Sequence, residues 1–195
     1  MVKEFLKKAT FQTEYFYMIL TYGNRHGGAA ELAHQLCRQC GIPVAYINVV
    51  LMVDNWLPSF DMGEQMLLDK QVENQLAHIL ADIKIRRHWI SPVTDRDRAA
   101  HQEFLDRMSQ MPPDTWQHLL RMTESCVGCG ICEKVCPSGS IHMVNGKAGH
   151  TPGHCQTCLA CVHACPHKAI QLTVQEKNPQ ARYRNEHISL EEIIQ

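Results

Sequence analysis

Cys126-Val-Gly-Cys129-Gly-Ile-Cys132-Glu-Lys-Val-Cys136-Pro137 and Cys155-Gln-Thr-Cys158-Leu-Ala-Cys161-Val-His-Ala-Cys165-Pro166 are two lines of one pattern, Cys-x2-Cys-x2-Cys-x3-Cys-Pro. Cys126 recurs as Cys155 and Cys136 as Cys165, an offset of 29 residues. The repeat runs past the cysteines, since Pro137 and Ile141 map onto Pro166 and Ile170. An internal duplication is therefore visible in the chain itself. Three cysteines at x2 intervals let one tight loop wrap three corners of an iron–sulfur cube. The fourth sits a helical turn later, too far round to close the same cube, and in two-cluster proteins of this pattern it ligates the other cluster. The spacing thus predicts one 4Fe-4S set of Cys126, Cys129, Cys132 and Cys165, and a second of Cys155, Cys158, Cys161 and Cys136.

The residues between the cysteines suit that reading. Gly128, Gly130, Thr157 and Ala160 are small enough for backbone N–H groups to approach the sulfurs. Val127, Ile131, Val135, Ile141, Leu159, Val162 and Ile170 can form the dry shell that sets solvent access. Two other uses of eight cysteines compete. A disulfide framework needs an oxidising compartment, yet the opening Met1-Val2-Lys3-Glu4-Phe5-Leu6-Lys7-Lys8 has no apolar signal region. Tetrahedral zinc takes separated Cys-x2-Cys pairs and has no use for the third cysteine or the Cys-Pro.

Composition narrows the partners. Lys and Arg number 19 against 20 Asp and Glu, a net charge of -1, which leaves no composition-level case for nucleic acid. The longest apolar run is Tyr15 to Leu20, far short of the ~20 residues of a membrane helix. The 12 histidines are scattered, and none replaces a cluster cysteine. With reduced thiols, the expected location is the cytoplasm.

The first 119 residues carry no cluster pattern. Tyr15–Tyr22 is apolar on both alternating faces and ends at Gly23, which predicts a strand buried on both sides. A helical stripe follows over 29–40, closed by Gly41, and then a second strand over 44–53. Asp61, with Glu64 three residues on, predicts a single long helix whose stripe runs through Leu68, Val72, Leu76, Ile79, Leu80 and Ile83. This order is a βαβ unit with a covering helix, hence a parallel sheet. Cys37 and Cys40 continue the stripe of their helix and read as packed thiols. Residues 88–119 read as a proline-punctuated connector with a helix over 97–108, and 176–195 as a polar tail in which Arg182 and Arg184 are solvated.

Residues from about 120 to 175 resemble a bacterial-type ferredoxin with two 4Fe-4S clusters, Asn145-Gly146 being the turn of the hairpin between its motifs. Leu20-Thr21-Tyr22-Gly23-Asn24-Arg25-His26-Gly27-Gly28, with Met52-Val53-Asp54-Asn55-Trp56-Leu57-Pro58 downstream, resembles the later half of a flavodoxin domain. The whole chain is similar to the flavodoxin–ferredoxin fusion proteins (EFR-type) of anaerobic bacteria. The resemblance implies an α/β partial flavodoxin-like region, a parallel sheet whose first half is missing, over 1–88. A linker over 89–119, an α+β dicluster ferredoxin domain over 120–175 and the tail over 176–195 complete it. Tyr22, Gly23 and Asn24 would occupy the loop that lies against a flavin ring. The family's phosphate-binding loop has no counterpart here, so tight FMN binding by this chain alone is not expected.

These readings converge on a one-electron, low-potential carrier serving redox partner proteins, with the cysteines as ligands and not as catalytic groups. A flavin-dependent oxidoreductase whose FMN-binding half is supplied upstream or by a partner, and an iron–sulfur redox sensor, are the alternatives. In flavodoxin order the strand Tyr15–Tyr22 would be internal, so its bare edge predicts self-association, or partial disorder of 1–60.

Overall fold

The computed structural model describes residues 2–194. Helix α1 (Val2–Lys8) buries Leu6 against Cys37 and Ile42. Strands β1 (Phe16–Tyr22) and β2 (Val44–Leu51) run parallel, joined by helix α2 (Ala29–Gln39), whose Ala30 and Cys37 are wholly buried. The βαβ unit read from the periodicity is present. After β2 the chain does not form one long helix. α3 (Met62–Met66) is capped by Asp61, which accepts the Gly63 N–H at 2.8 Å. α4 (Val72–Lys84) starts only after Gln71, which sits at φ +52 with its N–H donated to Asp69 Oδ1.

The break has a structural reason. The chain falls into two separately packed units, one of residues up to Asp54 with Leu68–Gln110, the other of Asn55–Leu67 with the residues from Met111 onward. α3 belongs to the second unit and α4 to the first, so no single helix can serve both. Only part of the expected stripe is used: Ile79 packs on Tyr46 and Val50 with Val72 and Ile83 beside it, while Leu68, Leu76 and Leu80 remain exposed.

A third strand, β3 (Trp89–Ile90), pairs parallel with Tyr46 and Ile47 of β2. The sheet order is β1-β2-β3, so β1 is an edge. That corrects the expectation of a strand buried on both faces: β1 is half-buried and Tyr17 is 48% exposed. Helix α5 (Asp95–Ser109) opens on a capping box in which the Thr94 hydroxyl accepts from Asp97 N–H and the Asp97 carboxylate accepts from Thr94 N–H. Arg98 Nε meets Glu31 on α2 at 2.9 Å. Residues 89–110, read as connector, thus supply a strand and a helix to the first unit.

In the second unit β4 (Leu120–Met122), α6 (Ile131–Lys134), the hairpin β5 (Ile141–Val144) and β6 (Lys147–His150), α7 (Ala160–Ala164) and β7 (Ile170–Leu172) follow one another. β4 pairs antiparallel with β7, and β5 with β6 across Asn145-Gly146, both at positive φ as a primed hairpin turn requires. Their core holds Cys132, Ile141, Leu159, Cys161, Val162, Ile170 and Leu172. Leu57 and Met62, both without exposed surface, enter the same core, and Trp56 meets Trp116 edge-on at 5.5 Å.

The duplication is also written in the backbone. Left-handed residues recur at the repeat's offset: Gly128 and Thr157 at φ +75 and +53, Gly130 and Leu159 at +75 and +60, Gly139 and Lys168 at +63 and +51. The first repeat uses glycine at all three, while the second holds side chains in a conformation that disfavours them.

The polar tail is not solvated where it leaves β7. Glu176 is buried, accepts the Leu172 N–H at 2.8 Å and pairs with Arg182 Nη1 at 2.8 Å. The side chains of Arg182 and Glu176 keep 7% and 4% of their surface. A patterning argument sees only charged residues here; the pairing that permits their burial is tertiary. Further on, Ser189 and Glu192 form the capping box of α8 (Leu190–Ile193), as their spacing predicts.

Two stability measurements check these points. A Cβ at Gly139 meets nothing within 4 Å, so Gly139→Ala isolates the backbone penalty and should cost about 1 kcal/mol. Lys168→Gly should raise the unfolding midpoint, and an unchanged midpoint in both would remove the strain argument. Arg182→Met strands a buried carboxylate and should cost about 3–5 kcal/mol, largely recovered in Glu176→Leu/Arg182→Met. Additive losses in that double-mutant cycle would show that the two side chains do not act as a pair.

Candidate metal centre

Each cysteine line folds as a loop that enters a short helix. In the first, the left-handed Gly128 and Gly130 turn the chain so that Cys126, Cys129 and Cys132 surround a hollow. The fourth cysteine on that hollow is Cys165, from the second repeat. The second hollow is surrounded by Cys155, Cys158 and Cys161 together with Cys136 from the first repeat. The structure therefore brings together the two sets read from the spacing. Among the described residues no three His, Cys, Asp or Glu side chains converge as they would on a single metal ion. The cysteines stand instead around spaces that a multi-atom group would fill.

The sulfurs are met by backbone donors placed by the repeat. Ser140 N–H donates to Cys136 Sγ and Ala169 N–H to Cys165 Sγ, both at 3.2 Å. Thr157 N–H donates to Cys155 Sγ and Ala148 N–H, from the hairpin, to Cys126 Sγ, both at 3.4 Å. Gly128 is required by its surroundings as well as by its φ, because a Cβ there would lie 2.2 Å from the Gly146 carbonyl oxygen.

Electrostatics separates the cysteines. Burial pushes the Cys161 thiol up to about 12, and neighbouring Cys158, Cys136 and Cys155 push the same way. Burial likewise raises Cys132, beside Cys165, Cys126 and Cys129. The N–H groups of Ala148 and Gly128 lower Cys126, with Lys147 assisting. Burial raises Cys136, but donors from Ser138, Ile141 and Ser140 outweigh it and the thiol lies below its usual range. Four thiolates around one hollow repel one another, and a cationic metal group among them would offset that repulsion. A donor set of four soft sulfurs with N–H support fits an iron–sulfur cluster. The expected dry shell is present at Val135, Ile141, Leu159, Val162 and Ile170, while Val127 is 60% exposed.

Outside this unit, Tyr22 and Asn24 line an open cleft at the carboxyl end of β1, with Arg25, His26, Arg96, Asp97 and Glu103. Tyr22 packs edge-on against His26 at 5.2 Å. Gly23 has a separate duty: a Cβ on it would lie 2.4 Å from Asp54 Cα. Cys37 Sγ contacts Met18 Sδ at 3.4 Å inside the core of the first unit, with Cys40 half-buried nearby. Sequence reading did not find Ser138 and Ser140 beside Cys136, nor Trp116 and Leu119 on the second hollow. For the serines a signal lay in the offset, which sets Ser138 and Ser140 against His167 and Ala169.

Two fourfold cysteine sets on a duplicated α+β unit define a ferredoxin-like iron–sulfur unit. The family described as the 4Fe-4S dicluster domain matches residues 118–166. The chain is 47% identical over 47 residues to one component of an ion-translocating oxidoreductase complex of Methanosarcina acetivorans, covering 24% of this chain and 18% of that one. It is 30% identical over 66 residues to an uncharacterized ferredoxin of Methanocaldococcus jannaschii, covering 32% of this chain and 86% of that one. A pyruvate synthase subunit of the same organism is 38% identical over 55 residues, 28% of this chain and 64% of its own. The chain belongs to the ferredoxins. It spans less than a fifth of the oxidoreductase component and just under two thirds of the synthase subunit. Among the described residues no helix is long and apolar enough to cross a membrane.

Proposed function

We propose that Cys126, Cys129, Cys132 and Cys165 hold one 4Fe-4S cluster and Cys136, Cys155, Cys158 and Cys161 a second, and that the chain carries single electrons at low potential between redox partner proteins. The observation that carries this reading is the exchange of Cys136 and Cys165 between the two hollows. When bound, each cluster takes up and releases one electron. The chain supplies thiolates, directs N–H groups at them and keeps water from their buried side. The near-neutral charge fits protein partners better than nucleic acid. Two relatives are by name parts of larger enzymes, which supports the same class of partner. Thiolate ligands fit the reducing cytoplasm.

The flavodoxin–ferredoxin fusion reading of the whole chain belongs to this proposal. It is supported by the sequential parallel order β1-β2-β3 and by the cleft with Tyr22 and Asn24 at the carboxyl end of β1, the side of such sheets where ligands sit. In this reading Tyr22, Gly23 and Asn24 form the ring-side loop, tight FMN binding needs a phosphate anchor from elsewhere, and the edge of β1 takes a second copy of the sheet.

Anaerobically prepared protein should contain about eight irons per chain, falling to about four in Cys129→Ser and in Cys158→Ser if each cluster is lost singly. About four irons in the parent protein would overturn the two-cluster assignment. Stoichiometric flavin in the acid extract would overturn the expectation of weak FMN binding. Sedimentation should show a concentration-dependent dimer that Tyr17→Lys, on the exposed face of β1, weakens; a monomer at every concentration would remove the edge-pairing proposal.

A further inference from the structure

The two cysteines exchanged between the hollows sit in different polar surroundings. Each accepts a backbone N–H from the residue four positions on, Ser140 for Cys136 and Ala169 for Cys165, at the same 3.2 Å. Beyond that the symmetry fails. Ser138 Oγ lies 3.6 Å from Cys136 Sγ, and Ser140 Oγ lies 2.9 Å from Ser138 Oγ. The equivalent residues of the second repeat are His167 and Ala169. Ser140 is 2% exposed, so its hydroxyl is a buried polar group placed where the other repeat has a methyl.

The direction of the hydrogen bonds follows from the chemistry of the ligand. A metal-bound thiolate has no proton and can only accept. Ser138 has one proton, so when it is given to Cys136 Sγ the contact between the two hydroxyls must be donated by Ser140. The result is a relay, Ser140 O–H to Ser138 Oγ and Ser138 O–H to Cys136 Sγ, in which each bond polarises the next. Donors aimed at a cluster sulfur hold the reduced, more negative state better than the oxidised one and so raise the potential.

We infer that the Ser140–Ser138 relay raises the reduction potential of the cluster held by Cys136, Cys155, Cys158 and Cys161, so that the first electron entering the protein rests there. The inference rests on Cys136 being a ligand of that cluster. Ser138 acts through the sulfur and Ser140 through Ser138, so both are positioning residues. The two clusters are then unequal by construction, and an electron arriving at the cluster of Cys126, Cys129, Cys132 and Cys165 has a downhill step within the chain.

The test is an anaerobic redox titration of the full iron-loaded chain, followed by electron paramagnetic resonance. Ser138→Ala should shift one cluster's equilibrium toward the oxidised form about tenfold, about 59 mV for one electron. The other cluster should not move. Ser140→Ala should shift the same cluster by a smaller step, and Ser138→Thr, which keeps the hydroxyl, should restore the parent value. His167→Ser/Ala169→Ser writes the relay into the other repeat and should raise the potential of the other cluster above that of His167→Ala, the control for losing the imidazole that lines that hollow. An unmoved midpoint in Ser138→Ala with full iron, equal shifts in both clusters, or no rise in the transplant would each overturn the inference alone. A parent chain holding only about four irons would overturn the ligand assignment, and the inference with it.

Discussion

A loop of the Cys-x2-Cys-x2-Cys kind closes three sides of a hollow and leaves the fourth open. In this protein that side is closed by the other repeat, Cys165 reaching the first hollow and Cys136 the second. Neither repeat has a complete site alone, so the halves must be brought together before either can work. The pairing of β4 with β7 does this at one edge, and the packing of α6 on α7 does it in the middle. Cys132 and Cys161 belong to the apolar core that results. The residues that would meet the metal and the residues that hold the fold are, at those two positions, the same.

That sharing sets an electrostatic problem which the backbone answers unevenly. Burial drives the Cys161 thiol far above its ordinary range, whereas N–H donors hold Cys126 below its own, and the Ser138 hydroxyl together with N–H donors does the same for Cys136. Left-handed turns aim these donors, and the turns recur at the repeat's offset whether or not glycine is there to make them easy. Thr157, Leu159 and Lys168 keep the conformation because the surrounding chain demands it. The two repeats thus differ in side chain at these positions while sharing the same left-handed turns.

Much of the second unit was legible because its signals are local or repeated. Cysteine spacing fixes which sulfurs meet, the offset pairs one loop with the other, and Asn145-Gly146 names its own turn. The βαβ unit was legible too, from runs long enough to show a period. What escaped was tertiary. Trp89–Ile90 is too short a strand to carry a period, and it exists because β2 offers it an edge. The stripe from Asp61 to Ile83 looks continuous, but its two ends serve different cores and Gln71 breaks it. Arg182 reads as a solvated cation until Glu176 is seen beside it. The serines beside Cys136 are ordinary as letters and gain meaning only from their distance to a sulfur.

Leu57 and Met62 lie more than fifty residues before the first cysteine of the repeat, yet they fill the centre of its core, and Lys177 N–H closes on the Leu57 carbonyl at 2.9 Å. In this chain the ferredoxin unit therefore reaches beyond the borders of its cysteine pattern. A gene fragment cut there carries all eight thiols and leaves behind two plugs and a latch. Cut from this chain at those borders, the unit would open to water the apolar space that Leu57 and Met62 fill.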